Sequence, residues 1–165
     1  RKITRATAKI ALGMDNCLYL GNLDAKRDWG HAKDYIEGMY LILQQEKPED
    51  YVLATGITTS IRDFVILSFA EVGIELNFRG NDEQEEGYVV TNSGDYKINI
   101  GDVIVKVDPK YYRPTEVDLL IGDPTKANAK LGWKPKYDLN SLVKEMVASD
   151  IRLFKKEELI KKSGL

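Results

Sequence analysis

Cysteine and histidine are nearly missing: Cys17 and His31 are the only ones among 165 residues. A single thiol closes no intrachain disulfide, and one Cys with one His cannot build an ordinary zinc site. The 13 glycines are spread so that no two lie closer than seven positions. The chain therefore contains no G-x-G-x-x-G, G-x-x-G or Walker A loop, and offers no glycine-rich turn to a dinucleotide's pyrophosphate. No serine stands in a G-x-S-x-G elbow, and no tyrosine is followed four residues later by lysine. Serine-hydrolase chemistry and a Tyr-x-x-x-Lys catalytic pair are excluded on those grounds.

Charge of one sign is also lacking. Lys plus Arg is 24 and Asp plus Glu is 26, for a net charge of −2. There is no overall basic excess of the kind that grips nucleic acid. No run approaches the ~18 apolar residues of a membrane span. The start, Arg1-Lys2-Ile3-Thr4-Arg5, is basic but leads into no apolar signal-peptide core. A soluble, cytoplasmic protein is the expectation, with no nucleic-acid or membrane partner. The first residue is Arg rather than Met, so this is either a chain numbered past a leader or part of a longer one.

What is present is a globular composition, 43% hydrophobic and 30% charged. At this length a folded chain buries roughly 70% of its unfolded surface. Residues 3–12 read as a helix stopped by Gly13, and Leu18-Tyr19-Leu20 as a short strand before a polar loop to Gly30. An amphipathic helix is predicted over 34–46. Asp34 and Glu37 would form its capping box, and Tyr35, Ile36, Met39, Tyr40 and Leu43 its apolar stripe. Tyr51–Thr55 reads as a buried strand. Ser60 and Asp63 form a second capping box, opening a helix that stops at Gly73. Ile74–Phe78 alternates as a strand does. Val89-Val90 and Tyr96–Ile100, about a turn at Asn92-Ser93-Gly94, are expected to be short strands or a hairpin, with Asp82–Glu86 a solvated loop. Val103–Val107 is another strand. Asp123-Pro124 caps a short helix to Leu131 with Gly132 beyond it. Leu139 to Phe154 is a terminal helix before a charged, fraying tail. Strand–loop–helix order is the grammar of an α/β fold.

Two arginines carry the candidate chemistry. Arg27 lies in Asp24-Ala25-Lys26-Arg27-Asp28-Trp29-Gly30-His31, and Arg113 in Tyr111-Tyr112-Arg113-Pro114-Thr115-Glu116. Each is expected in a loop among aromatics. Guanidinium forks suit phosphate oxygens, and two converging forks would hold a diphosphate. Taken alone, each could equally form a surface ion pair, with Asp28 and Glu116 as neighbours. Glu116 could accept from a ribose hydroxyl, or be a solvated carboxylate. His31 fits a hydrogen-bonded loop histidine better than a general acid or base. Cys17 fits a passive thiol, and Trp29 and Trp133 fit packing residues.

Arg27-Asp28-Trp29-Gly30-His31-Ala32-x-Asp34 resembles the R-D-[YWF]-x-H-V-x-D-x-A block of extended short-chain dehydrogenases/reductases acting on nucleotide sugars. The longer run Asn22–Tyr35 is more particular. With Tyr112-Arg113-Pro114-Thr115-Glu116-Val117-Asp118 and Leu131-Gly132-Trp133-Lys134-Pro135, in that order, it resembles the GDP-mannose 4,6-dehydratase family. The likeness runs from Arg1 to about Leu153 and covers only the family's C-terminal half. It implies an α/β fold: the C-terminal substrate-binding part of a Rossmann-type enzyme, a single region over 1–165, with helices, a few strands and a small hairpin. It implies that Arg27 and Arg113 contact the diphosphate of GDP-mannose and that Glu116 binds the ribose. Lys2, Leu20 and Gly21 would lie near the diphosphate and guanine. NADP and the catalytic residues would belong to the absent N-terminal half. That half or another copy of the chain is the expected partner, and the full enzyme is expected to be a homo-oligomeric lyase on the route to GDP-fucose. Another sugar-nucleotide dehydratase or epimerase, or a non-catalytic nucleotide-sugar binding module, are the competing readings.

Overall fold

A computed structural model describes residues 1–112, 117 and 119–163. The elements run in the order α1 (Lys2–Ala11), β1 (Leu18–Leu20), β2 (Lys26–Asp28), α2 (Ala32–Leu43), β3 (Thr58–Ser60) and α3 (Ile61–Ala70). After them come β4 (Ile74–Arg79), a 3-10 turn (Asp82–Gln84), β5 (Glu86–Asn92), β6 (Val103–Val107), β7 (Leu119–Leu120), α4 (Thr125–Leu131) and α5 (Leu139–Lys162).

The strands form two small sheets. The larger has the order β1-β6-β5-β4, and the smaller β3-β2-β7. β1 runs parallel to β6, with Leu18 opposite Val105, while β6, β5 and β4 are successively antiparallel. The apolar residues of the larger sheet (Leu18, Ile74, Val89, Val105) meet those of α1, α3 and α5 (Ile10, Phe64, Phe69, Val143, Val147) in one core. In the smaller sheet, Arg27 lies opposite Thr59 on one side and Leu120 on the other.

Most predicted helices stand, with their caps. Ser60 accepts from the Asp63 amide at the start of α3. Asp123 accepts from Thr125 N at 2.9 Å before α4, and Gly132 ends that helix with φ of 66°. The predicted box at Asp34 is corrected. His31 caps α2, its Nδ1 accepting from Lys33 N at 3.1 Å. Asp34 is instead buried within the first turn and accepts from Tyr137 N at 3.1 Å. α5 continues past Phe154 to Lys162, where Glu158 and Lys162 pair at 2.6 Å one turn apart.

Several strand expectations change. The hairpin forms between β4 and β5 across the 3-10 turn, not from Val89 to Ile100. Asn92 donates to the Tyr96 and Ile98 carbonyls, both at 2.9 Å, and wraps 96–100 into a loop. Glu85 lies within the expected solvated acidic run yet is buried, clamped by Arg62 at 2.7 and 2.8 Å. Tyr51–Thr55 is in no strand pair among the described residues. The apolar stripe of α2 is present and faces mostly outward. The buried residues of that helix are Asp34 and Gly38, whereas Ile36, Met39, Tyr40 and Leu43 are exposed.

Candidate functional site

The site grows from the C-terminal end of β1. Leu20 is buried, and its carbonyl accepts from Asp108 N at 2.8 Å. Gly21 follows directly against the Tyr111 carbonyl, where any added Cβ would collide with backbone. Lys2, at the first turn of α1, places its Nζ 3.7 Å from the centre of the Tyr111 ring. Partial burial lowers the Lys2 pKa from the ordinary lysine value, and the nearby Asp108 carboxylate opposes that shift. Three predicted site residues, Lys2, Leu20 and Gly21, therefore meet on the short stretch 108–111.

Arg27 is on β2, not in a loop. Its Nη1 donates to the Lys26 and Val117 carbonyls, both at 2.8 Å. The neighbouring carboxylate has a different task. Asp28 Oδ1 accepts from Thr55 N at 3.0 Å and Thr55 Oγ1 at 2.6 Å, and Oδ2 accepts from Gly56 N at 2.9 Å. Asp28 thus ties the end of segment 51–55 to β2. Arg113 and Glu116 lie outside the described residues. In sequence they fall between Tyr112, beside the Lys2 and Gly21 cluster, and Val117, bonded to Arg27.

Two clefts adjoin these residues. One, of about 320 Å³, is lined by Lys2, Arg5, Lys9, Cys17, Tyr19 and Tyr111 among others. Arg5 and Lys9 were not among the predicted site residues. Their spacing from Lys2, three and seven residues along one helix, was a usable signal for a shared face. Both also lie over the Phe154 ring, at 4.8 and 5.3 Å. The Cys17 thiol in this cleft is pushed up by burial, away from a reactive thiolate. The second cleft, about 420 Å³, lies between the loop held by Asp28 (Thr55, Ile57) and residues 135–140, with Trp29 in its wall.

His31 is a structural hinge-pin. Its ring stacks on Tyr137 at 4.2 Å, and Nε2 lies 3.3 Å from Glu145 Oε2. Hydrogen bonds from Lys33 and His31 hold the Glu145 carboxyl below the usual carboxylate range. Trp133 packs, as expected. It is buried, and its indole N–H donates to the Asp34 carbonyl at 2.7 Å. No helix of the described residues is long and apolar enough to cross a membrane.

Comparison with known proteins assigns this arrangement to a family. A family model described as GDP-mannose 4,6 dehydratase matches residues 1–146. The chain is 49% identical to the GDP-mannose 4,6-dehydratase of Yersinia enterocolitica over 99% of its length. It is 57% identical to the Dictyostelium discoideum protein of that name and 52% to the human one, over 94% of its length in each case. It covers 45, 41 and 40% of those relatives, less than half of each. Among solved structures, RMD from Pseudomonas aeruginosa complexed with NADPH superposes with a TM-score of 0.67 at 16% identity, over 91% of this chain and 41% of that one. A UDP-glucose 4-epimerase from Bifidobacterium longum superposes at 0.61 and 17% identity. The fold is thus a part of the larger α/β architecture of those enzymes, and the chain belongs to the GDP-mannose 4,6-dehydratase family.

Proposed function

We propose that this chain supplies the sugar-nucleotide grip of a GDP-mannose 4,6-dehydratase, a lyase converting GDP-mannose to GDP-4-keto-6-deoxymannose and water, the first step towards GDP-fucose. The observation that carries the reading is the pair of anchor points flanking 113–116. Lys2, Leu20 and Gly21 meet at 108–111, and Arg27 is bonded at Val117. Arg27 and Arg113 would bind the diphosphate, each guanidinium offering a planar fork of donors to phosphate oxygens. Glu116 would accept from the ribose hydroxyls. Lys2 would add a cation beside the diphosphate, and Gly21 would let the nucleotide approach the backbone.

This chain's own residues offer no glycine-rich turn for a dinucleotide. NADP would be held by the part of a full-length member that this chain does not match, and would supply hydride-transfer chemistry there. The residues described here bind and orient the substrate and contribute no acid, base or nucleophile. The complete enzyme would be a homo-oligomer.

The test is binding of GDP-mannose, measured by calorimetry with the chain joined to the remainder of a relative. Arg27→Ala and Arg113→Ala should each weaken binding by about 1.5–3 kcal/mol, the range for a hydrogen-bonded charge. Unchanged affinity in both variants overturns the reading. Tighter binding of UDP-glucose or dTDP-glucose than of GDP-mannose would move the chain to a different base specificity within the same fold.

A further inference from the structure

We propose that Arg62 is a positioning residue for the nucleotide site, its guanidinium clamping together the two segments, 21–25 and 107–112, beside which the nucleotide would lie. The inference rests on the functional reading above and adds to it a residue that touches no substrate.

Arg62 is the second residue of α3, where that helix meets the loop after β1. Its amide donates to the Leu23 carbonyl at 2.9 Å, and the Ile61 amide donates to the Ala25 carbonyl at 3.0 Å. The side chain then bridges two ways. Nη1 donates to Asp24 Oδ1 in the same loop. Nε and Nη2 donate to the two carboxylate oxygens of Glu85 at 2.7 and 2.8 Å. The loop held in this way begins at Gly21, where a Cβ would lie 2.2 Å from the Tyr111 carbonyl oxygen. A small shift of the loop would therefore open or close that contact.

Glu85 carries the clamp to the second segment. Its carbonyl accepts from Val107 N at 3.1 Å, at the end of β6. Three residues before Glu85, Asp82 Oδ1 accepts from the Tyr112 hydroxyl at 3.3 Å. Tyr112 directly precedes Arg113 in the sequence. The acidic turn thus braces the stretch that leads to Arg113 at both ends, and Arg62 ties that turn to the loop after Gly21.

The clamp is built where it is costly. Glu85 is only 7% exposed, and a buried carboxylate is tolerated only with close, well-aligned partners. A bidentate guanidinium is such a partner, and its hydrogen bonds to Glu85 raise the Arg62 pKa further above the ordinary arginine value. The pair of Arg79 with Glu86, on the adjoining hairpin, is more exposed and holds no segment of the site. Two apolar side chains could fill the space of Arg62 and Glu85 without desolvating a charge. They would lack direction. A planar fork fixes the distance and angle between the carboxylates it joins, and so the separation of the two segments.

The experiment uses this chain joined to the unmatched part of the Yersinia relative. It measures turnover of GDP-mannose, with GDP binding by calorimetry. Asp24→Asn severs one arm at an exposed carboxylate, and Arg62→Lys keeps the charge but loses the fork. KM for GDP-mannose should rise about threefold in Asp24→Asn and about tenfold in Arg62→Lys, with kcat within about twofold, since the lost contacts lie away from the reacting carbons. GDP affinity should weaken by the same factors. Arg79→Gln should change none of these. Arg62→Met combined with Glu85→Gln leaves no buried unpaired charge, so it should keep the wild-type circular dichroism and still raise KM about tenfold. Unchanged KM and GDP affinity in Arg62→Lys and in the double variant overturn the proposal. So does a loss confined to thermal stability and kcat, which is what a merely structural role would give.

Amide exchange reads the clamp without substrate. Arg62→Lys should quicken exchange of the amide at position 62, held by Leu23, together with that of Val107, held by Glu85, by at least about tenfold, with Val89 unaffected. Independent responses of the two amides also overturn the proposal. A wild-type protein that binds GDP but does not turn over GDP-mannose contradicts the functional reading alone, and the clamp is then decided by GDP affinity and by these two amides.

Discussion

In the β1-β6-β5-β4 body, Phe69, Ile74, Val89 and Val105 are sealed from water, whereas in the layer of α2, segment 51–55 and β7 Ile36, Met39, Leu43, Val52 and Leu119 face it. The first region is held by apolar burial, the main favourable contribution in folding. The second is held by polar fasteners. Asp28 grips Thr55 and Gly56, Asp34 grips Tyr137, and Glu49 takes Lys126 and Lys130 at 2.9 and 2.7 Å. Arg27 stands in the fastened region, and Lys2 and Gly21 at the margin of the sealed one. Directional bonds can fix a guanidinium in place while leaving apolar surface free for another body. A closed core cannot do both.

The contrast can be broken by substitution. The largest effect should come from Phe69→Ala. Removing this fully buried ring should cost about 3–5 kcal/mol by urea unfolding. Leu43→Ala, in the open layer, should stay within about 0.5 kcal/mol. Equal effects would mean that the two regions share one core. Next, Asp28→Ala should release the loop at Thr55–Gly56. Amide exchange at Gly56 should quicken by an amount corresponding to about 1.5–3 kcal/mol, with Val105 unaffected. Coupled loss at both amides would show that the fastened layer and the body open together.

Ser60→Ala tests the seam, since Ser60 ends β3 in one region and caps α3 in the other. Loss of this cap should cost about 1 kcal/mol in global unfolding. The smallest effect concerns pH. Lys2 has a folded pKa below the ordinary 10.5 because burial disfavours its charge. At lower pH both folded and unfolded chains carry the proton. As pH rises through the folded value, only the native state loses it, so stability should rise until the unfolded value is passed. Thermal melts across that alkaline interval should show a small upward slope, absent in Lys2→Met. A bound diphosphate should flatten it, by favouring the protonated form.

The helices were legible because their punctuation is local. Ser60 with Asp63, Asp123 before α4 and Gly132 after it all act within one turn of chain. Asp34 misled for the same reason. Its spacing to Glu37 fits a cap, but its real partner is Tyr137, which no local pattern reveals. The α2 stripe was visible as a period, yet the period says only that one face is apolar, not whether anything in the same chain covers it. Arg27 was found by residue type and neighbours, but its place on a strand depends on Thr59 and Leu120, remote in sequence. The convergence of Lys2 and Gly21 on Tyr111 needed the parallel pairing of β1 with β6, a non-local event that carries 108–111 back to the start of the chain.

The indole bond from Trp133 to Asp34 spans 99 residues of chain. Closing so long a loop is entropically dear before other contacts exist, and folds rich in such closures form slowly. During synthesis, α2 emerges before Trp133 and waits without that anchor until the later residue has left the ribosome. For that interval the Gly38 face lacks the indole that later covers it.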